Sequence, residues 1–153
     1  MIEYLAFDPG NTTGWAGFDN EGNIVEMGSF KAFIDGKYKQ NPKFRELINS
    51  NIKHIVVEDY VNYGYTQQKR WSRNDTSKII GVIETLAQIE DIPLELQKSS
   101  VRGIGYKWMG AEQPSNKAMS HEWDAAAHGV YFFTKIGIRK EAKSLLDKVK
   151  NAE

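Results

Sequence analysis

The sequence predicts an α/β protein built on one mixed sheet of five strands flanked by helices, and three observations carry that prediction. Its first quarter holds three β-rich runs separated by turn residues. The chain then alternates short apolar runs with segments of helical period,. Two of the predicted strands end in a carboxylate, Asp8 and Glu58. An antiparallel meander followed by strand–helix crossovers gives a sheet of mixed direction, because parallel neighbours must be joined by a crossing connection.

The elements follow in order. Residues 2–8 (IEYLAFD) are rich in β-formers, as a buried strand requires,. Pro9 to Gly14 reads as a turn, in which Gly10 and Gly14 are expected to let the backbone approach a phosphate closely,. Runs 14–19 and 24–33 flank Asn20-Glu21-Gly22-Asn23, a composition that turns a hairpin,. Pro42 opens or precedes a helix through Phe44, Leu47 and Ile48, and Ile55 to Val57 form a strand that closes on Glu58 and Asp59,.

Asn74 or Asp75 suits the N-cap of a helix whose apolar positions are Ile79, Ile80, Val82, Ile83, Leu86, Ala87 and Ile89,. Pro93 to Leu96 reads as a brief strand, and Val101 to Gln113, with three glycines, as a loop or broken helix,. A last helix is predicted from about Ser120 to Lys135, followed by a charged helical tail at about 139–153,. Neither a repeat nor a linker divides residues 1–153, so a single domain is expected,.

Composition narrows the function. At 41% hydrophobic and 12% aromatic residues the chain is globular rather than disordered,. No apolar run approaches the ~20 residues that cross a bilayer, and no leader pattern is seen, so a cytoplasmic protein without a membrane partner is expected. The absence of cysteine excludes disulfides, thiolate nucleophiles and Cys-based zinc sites, leaving oxygen or imidazole to hold any metal,. A formal net charge of zero removes any global attraction to nucleic acid and leaves only local patches to provide it,.

The first and fourth strands should lie side by side and parallel, bringing Asp8 and Glu58 out at the same edge. In "SHEWDAAAHG", His121 and Asp124 are three apart on one helix face, in the first turn of the predicted helix,. Each residue alone has an ordinary account: strand-end acids solvate loops, and an acid near a helix N-terminus is stabilised by the macrodipole. Together they say more. Two close carboxylates repel, and burial returns a proton to one of them unless a cation lies between. Hard divalent ions favour such oxygen-rich pockets, and a pair of them can clamp the attacking and leaving oxygens of a phosphodiester.

These same residues carry a resemblance. "FDPGNTTGWA" resembles the first-strand motif of RuvC-like Holliday junction resolvases, "VVED" their fourth-strand acid, "HEWDAAAHG" their terminal-helix motif and "SSVRGIGYKWMG" the segment after their fifth strand. The resemblance implies a ribonuclease H-like fold and a crossover junction endodeoxyribonuclease, a metal-dependent hydrolase of DNA recombination and repair. It assigns Asp8, Glu58, His121 and Asp124 as catalytic and metal-holding residues for Mg²⁺ or Mn²⁺, as two ions per site with Asp8 bridging them. His121 departs from the all-carboxylate version of the site; imidazole suits Mn²⁺ better than Mg²⁺, or could instead position the attacking water. His128, one turn beyond Asp124, is given a structural or supporting role ahead of ligation. Lys117 is the foremost candidate for the family's phosphate-contacting lysine, with Lys98, Arg102 and Lys107 as alternatives.

The segment "YVNYGYTQQKRWSRN" interleaves aromatic and basic residues directly after the strand-end acid. Lys69, Arg70 and Arg73 suit phosphates, while Tyr63, Tyr65 and Trp71 suit stacking on unpaired bases at a junction. The resemblance further implies a homodimer, whose two-fold axis would place one site on each of two opposed strands. The compact length and short fifth-strand connection lean toward a phage source, so the setting would be a bacterial cell or a phage-infected host. Three rival readings stand beside it: a flap, branch or RNA-processing nuclease of the same fold; a module that binds branched DNA without cutting it; and an actin-like or sugar-kinase ATPase. The last needs two such domains, and 153 residues supply one,.

Overall fold

The computed structural model describes residues 1–35, 39–59 and 75–140. Its central strand is β1 (Tyr4–Asp8), and the alternation of that strand divides the molecule. Leu5 and Phe7 point to one face of the sheet, Ala6 and Asp8 to the other,. β2 (Thr12–Phe18) pairs antiparallel with β1, and β3 (Ile24–Lys31) antiparallel with β2. β6 (His54–Glu58) pairs parallel with the other edge of β1, and β7 (Leu94–Gln97) parallel with β6. The order is therefore β3-β2-β1-β6-β7, the five-stranded mixed sheet that the alternation of strands and helices predicts.

The face of Leu5 and Phe7 is covered by α1 (Lys43–Leu47) and α2 (Asp75–Ile89), whose Phe44, Leu47, Ile79 and Ile83 join one apolar cluster with Ile55 and Val57. Each such side chain contributes roughly 1.5–3 kcal/mol when fully buried. The other face is lined by small residues. Ala6 and Ala16 meet Ala125 and Ala126 of α4 (Lys117–Lys135), so this helix lies close to the strands. The helix α3 (Arg102–Met109), entered through a 3₁₀ turn at Ser99–Val101, packs on α4 in turn.

Several boundaries differ from those predicted. The third strand breaks at Ala32, whose backbone N–H donates to Asn11 O, and Phe33–Ile34 (β4) pairs instead with Lys39–Gln40 (β5) in a separate ribbon. Residues 102–109 form a helix despite their glycines. Gly105 lies directly against the backbone of Ala127, while Gly110 takes the left-handed C-cap conformation with φ 74°,. Helix α4 begins three residues earlier than predicted, because the side chain of Asn116 accepts the Ala118 N–H at 3.0 Å and caps it,. Asp124 therefore lies inside the helix, and the first-turn macrodipole account of it does not apply. Arg139, placed by the sequence in a tail helix, is non-helical and buried, with Nη1 donating to Gly22 O at 3.0 Å. The remaining tail, 141–153, lies outside the described residues.

Candidate active site

The register decides where the acids go. Ala6 pairs with Val56 and Phe7 with Val57, so the next residues along the two parallel strands, Asp8 and Glu58, stand side by side on the α4 face. Their carboxyls lie close enough for each to act on the charge of the other,. Burial, followed by this contact and the charges of Glu58 and Asp124, pushes Asp8 up to about 9. Burial also works against the charge of Glu58, but the neighbouring His128, Asp8 and Arg102 outweigh it and hold Glu58 below the usual carboxylate range,. The two acids are thus shifted in opposite directions, Asp8 up and Glu58 down.

Helix α4 supplies the other two predicted residues. His121 Nδ1 lies 3.6 Å from Asp8 Oδ2, and Asp124 is 5% exposed. Asp124 is held from α3 and the segment after it: Tyr106 donates its hydroxyl to Oδ1 at 2.6 Å, Gln113 Nε2 donates to Oδ1 at 3.0 Å, and Arg102 Nη1 approaches Oδ2 at 3.4 Å. Arg102 Nη1 is also 3.4 Å from Glu58 Oε1. Among the described residues no three carboxylate or imidazole groups close on a point as a metal cluster. The positive charge between Glu58 and Asp124 is the Arg102 guanidinium.

All four predicted acid and histidine positions, Asp8, Glu58, His121 and Asp124, thus meet on one side of the sheet. Of the predicted phosphate-binding residues, Arg102 joins them, while Lys98, Lys107 and Lys117 are exposed. Tyr63, Tyr65, Lys69, Arg70, Trp71 and Arg73 lie outside the described residues. Gly14 is not a turn residue: it sits in β2 opposite Asp8, against the backbone of His121.

Sequence reasoning missed Tyr106, Gln113 and Gln97. A usable signal existed for the first, since Arg102 and Tyr106 are four apart and share one face of α3,. Gln97 had one too, as the residue that ends β7 beside Glu58, with its side chain reaching His128.

No protein-family model matches the sequence, and no curated protein matches it. Solved structures do. RuvC from Thermus thermophilus superposes with a TM-score of 0.61 at 14% identity, over 90% of this chain and 98% of that one. A second structure, described as T. thermophilus RuvC in complex with Holliday junction substrate, gives the same TM-score, identity and coverage. The likeness is one of fold: the chain has the ribonuclease H-like fold of these RuvC structures. Among the described residues no helix is long and apolar enough to cross a membrane.

Proposed function

We propose that the chain is a metal-dependent endonuclease that resolves Holliday junctions by paired, symmetric hydrolysis of phosphodiesters. One observation carries the reading: Asp8, Glu58, His121 and Asp124, distant in sequence, converge on one side of a sheet whose fold is that of RuvC. A solved neighbour described as bound to a Holliday junction substrate supports the choice of branched DNA.

The chemistry of the donor set suits a divalent cation: three carboxylates and an imidazole lie on one side of the sheet, Glu58 and Asp124 buried, and among the described residues they would have to draw together to close on one ion,. Asp8, Glu58, Asp124 and His121 would hold Mg²⁺ or Mn²⁺, which when bound supplies an activated water and stabilisation of the leaving oxygen. Tyr106 and Gln113 fix the rotamer of Asp124. Arg102, whose guanidinium reaches Glu58 and Asp124, carries a fork suited to a phosphate oxygen and would be free to take one if those carboxylates held a cation,.

Tyr63, Tyr65, Lys69, Arg70, Trp71 and Arg73, with Lys98, Lys107 and Lys117, would bind the arms of the junction. A two-fold homodimer would cut opposed strands. The test is incubation with a four-way junction, a flap, a duplex and an RNA–DNA hybrid in Mg²⁺ or Mn²⁺, for the wild type and Asp8→Asn. Paired nicks confined to the junction, lost in Asp8→Asn while binding persists, support the reading; cleavage of the other substrates alone, or cleavage by Asp8→Asn, overturns it.

A further inference from the structure

Glu58 presents one oxygen to Arg102 and the other to His128, whose Nε2 is 3.5 Å from Oε2. His128 is completely buried, one helical turn after Asp124. Gln97 is the register partner of Glu58 on the neighbouring strand, so its side chain lies on the same face of the sheet. Its Nε2 is 2.8 Å from His128 Nδ1 and 3.1 Å from the carbonyl oxygen of His128.

These distances determine the protonation of the ring. A carbonyl oxygen can only accept, so the amide atom facing it must be the NH₂ group. One of its hydrogens is spent on that carbonyl and the other on Nδ1. Nδ1 must then accept and cannot carry a hydrogen, which leaves the single ring proton on Nε2. Among the described residues Nε2 is buried without a hydrogen-bond partner, and Glu58 Oε2 lies 3.5 Å from it. A shift of a few tenths of an ångström would close that contact to the usual N–H···O range.

We infer that Gln97 locks His128 as the Nε2–H tautomer and that this neutral N–H orients Glu58, making both of them positioning residues of the site. The inference rests on the reading of Glu58 as a cation-holding carboxylate. Neutrality matters to that role: an imidazolium in contact with Glu58 would compete with a divalent ion, whereas a neutral donor fixes the carboxylate and leaves its charge available. Such outer partners of a metal-holding group typically change affinity by about 10–100-fold when removed.

The test uses the full chain and two readouts. Nitrogen-15 spectra of the metal-free protein, with His128 identified by its loss in His128→Gln, should show an unprotonated Nδ1 and a protonated Nε2 near neutral pH. An imidazolium or an Nδ1–H ring overturns the lock. Calorimetry with Mn²⁺ should show affinity reduced by about 10–100-fold in His128→Leu and largely restored in His128→Gln, whose Nε2 can donate from the same region. Wild-type affinity in the Leu variant, or equal loss in both, overturns the positioning role. Should His128→Leu fail to fold, Gln97→Met is expected to mix the tautomers and weaken Mn²⁺ binding; a single Nε2–H ring with unchanged affinity in that variant overturns the inference. Absence of Mn²⁺ binding by the wild type would instead sink the functional reading, with the nitrogen spectra still deciding the lock by themselves.

Discussion

Gly14 of β2 lies so close to the His121 carbonyl of α4 that a Cβ at this glycine would overlap the helix backbone. Gly14 is also the strand partner of Asp8. The missing side chain therefore lets the helix that carries His121 and Asp124 settle beside the first acid. Gly14→Ala should lift α4 locally, destabilising the protein by about 1–3 kcal/mol, as overpacking does, and weakening divalent-ion binding. Denaturant melts and Mn²⁺ titration check this. Gly10→Ala, whose added Cβ would meet, among the described residues, Thr12 O at 3.2 Å, should cost less.

That contact also shows where sequence reading reaches its limit. Strand-end acids and the His121–Asp124 spacing are local patterns, so Asp8, Glu58, His121 and Asp124 can be picked out before any fold is known. Gly14 cannot: a glycine followed by aromatic and apolar residues looks the same whether it turns the chain or makes room for a helix over a hundred residues away. The glycines at 103, 105 and 110 concealed α3 for a similar reason, and with it the Tyr106 hydroxyl. Only tertiary packing reveals that Gly105 serves contact with α4 and Gly110 serves the cap.

The upward shift of Asp8 makes metal-free stability depend on pH in a direction opposite to the usual salt-bridged acid,. Its folded value lies above the ordinary 3.8, at about 9, so the stability it contributes is fully present below 3.8 and is lost as pH rises toward 9,. Glu58 is shifted the other way, so its contribution is lost on acidification below its ordinary range,. Melts of the metal-free chain between about pH 5 and 9 should show stability falling with pH. Asp8→Asn should flatten that slope, and saturating Mn²⁺ should do the same in the wild type. A wild-type slope unchanged by either would remove the buried carboxyl pair as its cause.

Tyr106 is expected to act as a neutral donor throughout this range, since burial and then its hydrogen bond to Asp124 push the phenol well up from its ordinary value. Tyr106→Phe removes the 2.6 Å bond while keeping the ring. A hydrogen bond to a charged group contributes about 1.5–3 kcal/mol, and Gln113 remains to satisfy the same oxygen,. A loss of about 1–2 kcal/mol is therefore expected, together with reduced junction cleavage at limiting Mg²⁺ that recovers as the metal concentration is raised. Chemical melts and a metal titration of the rate test the two parts separately.

Arg102 separates the metal-free state from the metal-bound one most clearly. With no cation present its guanidinium is the positive charge shared by Glu58 and Asp124, both largely buried, so Arg102→Ala leaves two carboxylates facing one another across the vacated space. Breaking a fully buried pair costs about 3–5 kcal/mol, but the Arg102 side chain is 33% exposed and solvent screens part of the effect, so about 1–3 kcal/mol is expected,. Divalent cations should restore most of that loss, because they replace the same charge, and Mn²⁺ should bind Arg102→Ala more tightly than the wild type once it need not displace the guanidinium. Cleavage should nevertheless remain low at saturating metal, as the phosphate loses its planar partner, and Arg102→Lys should recover stability better than activity. Weaker Mn²⁺ binding in Arg102→Ala would mean that arginine and metal do not compete for these carboxylates.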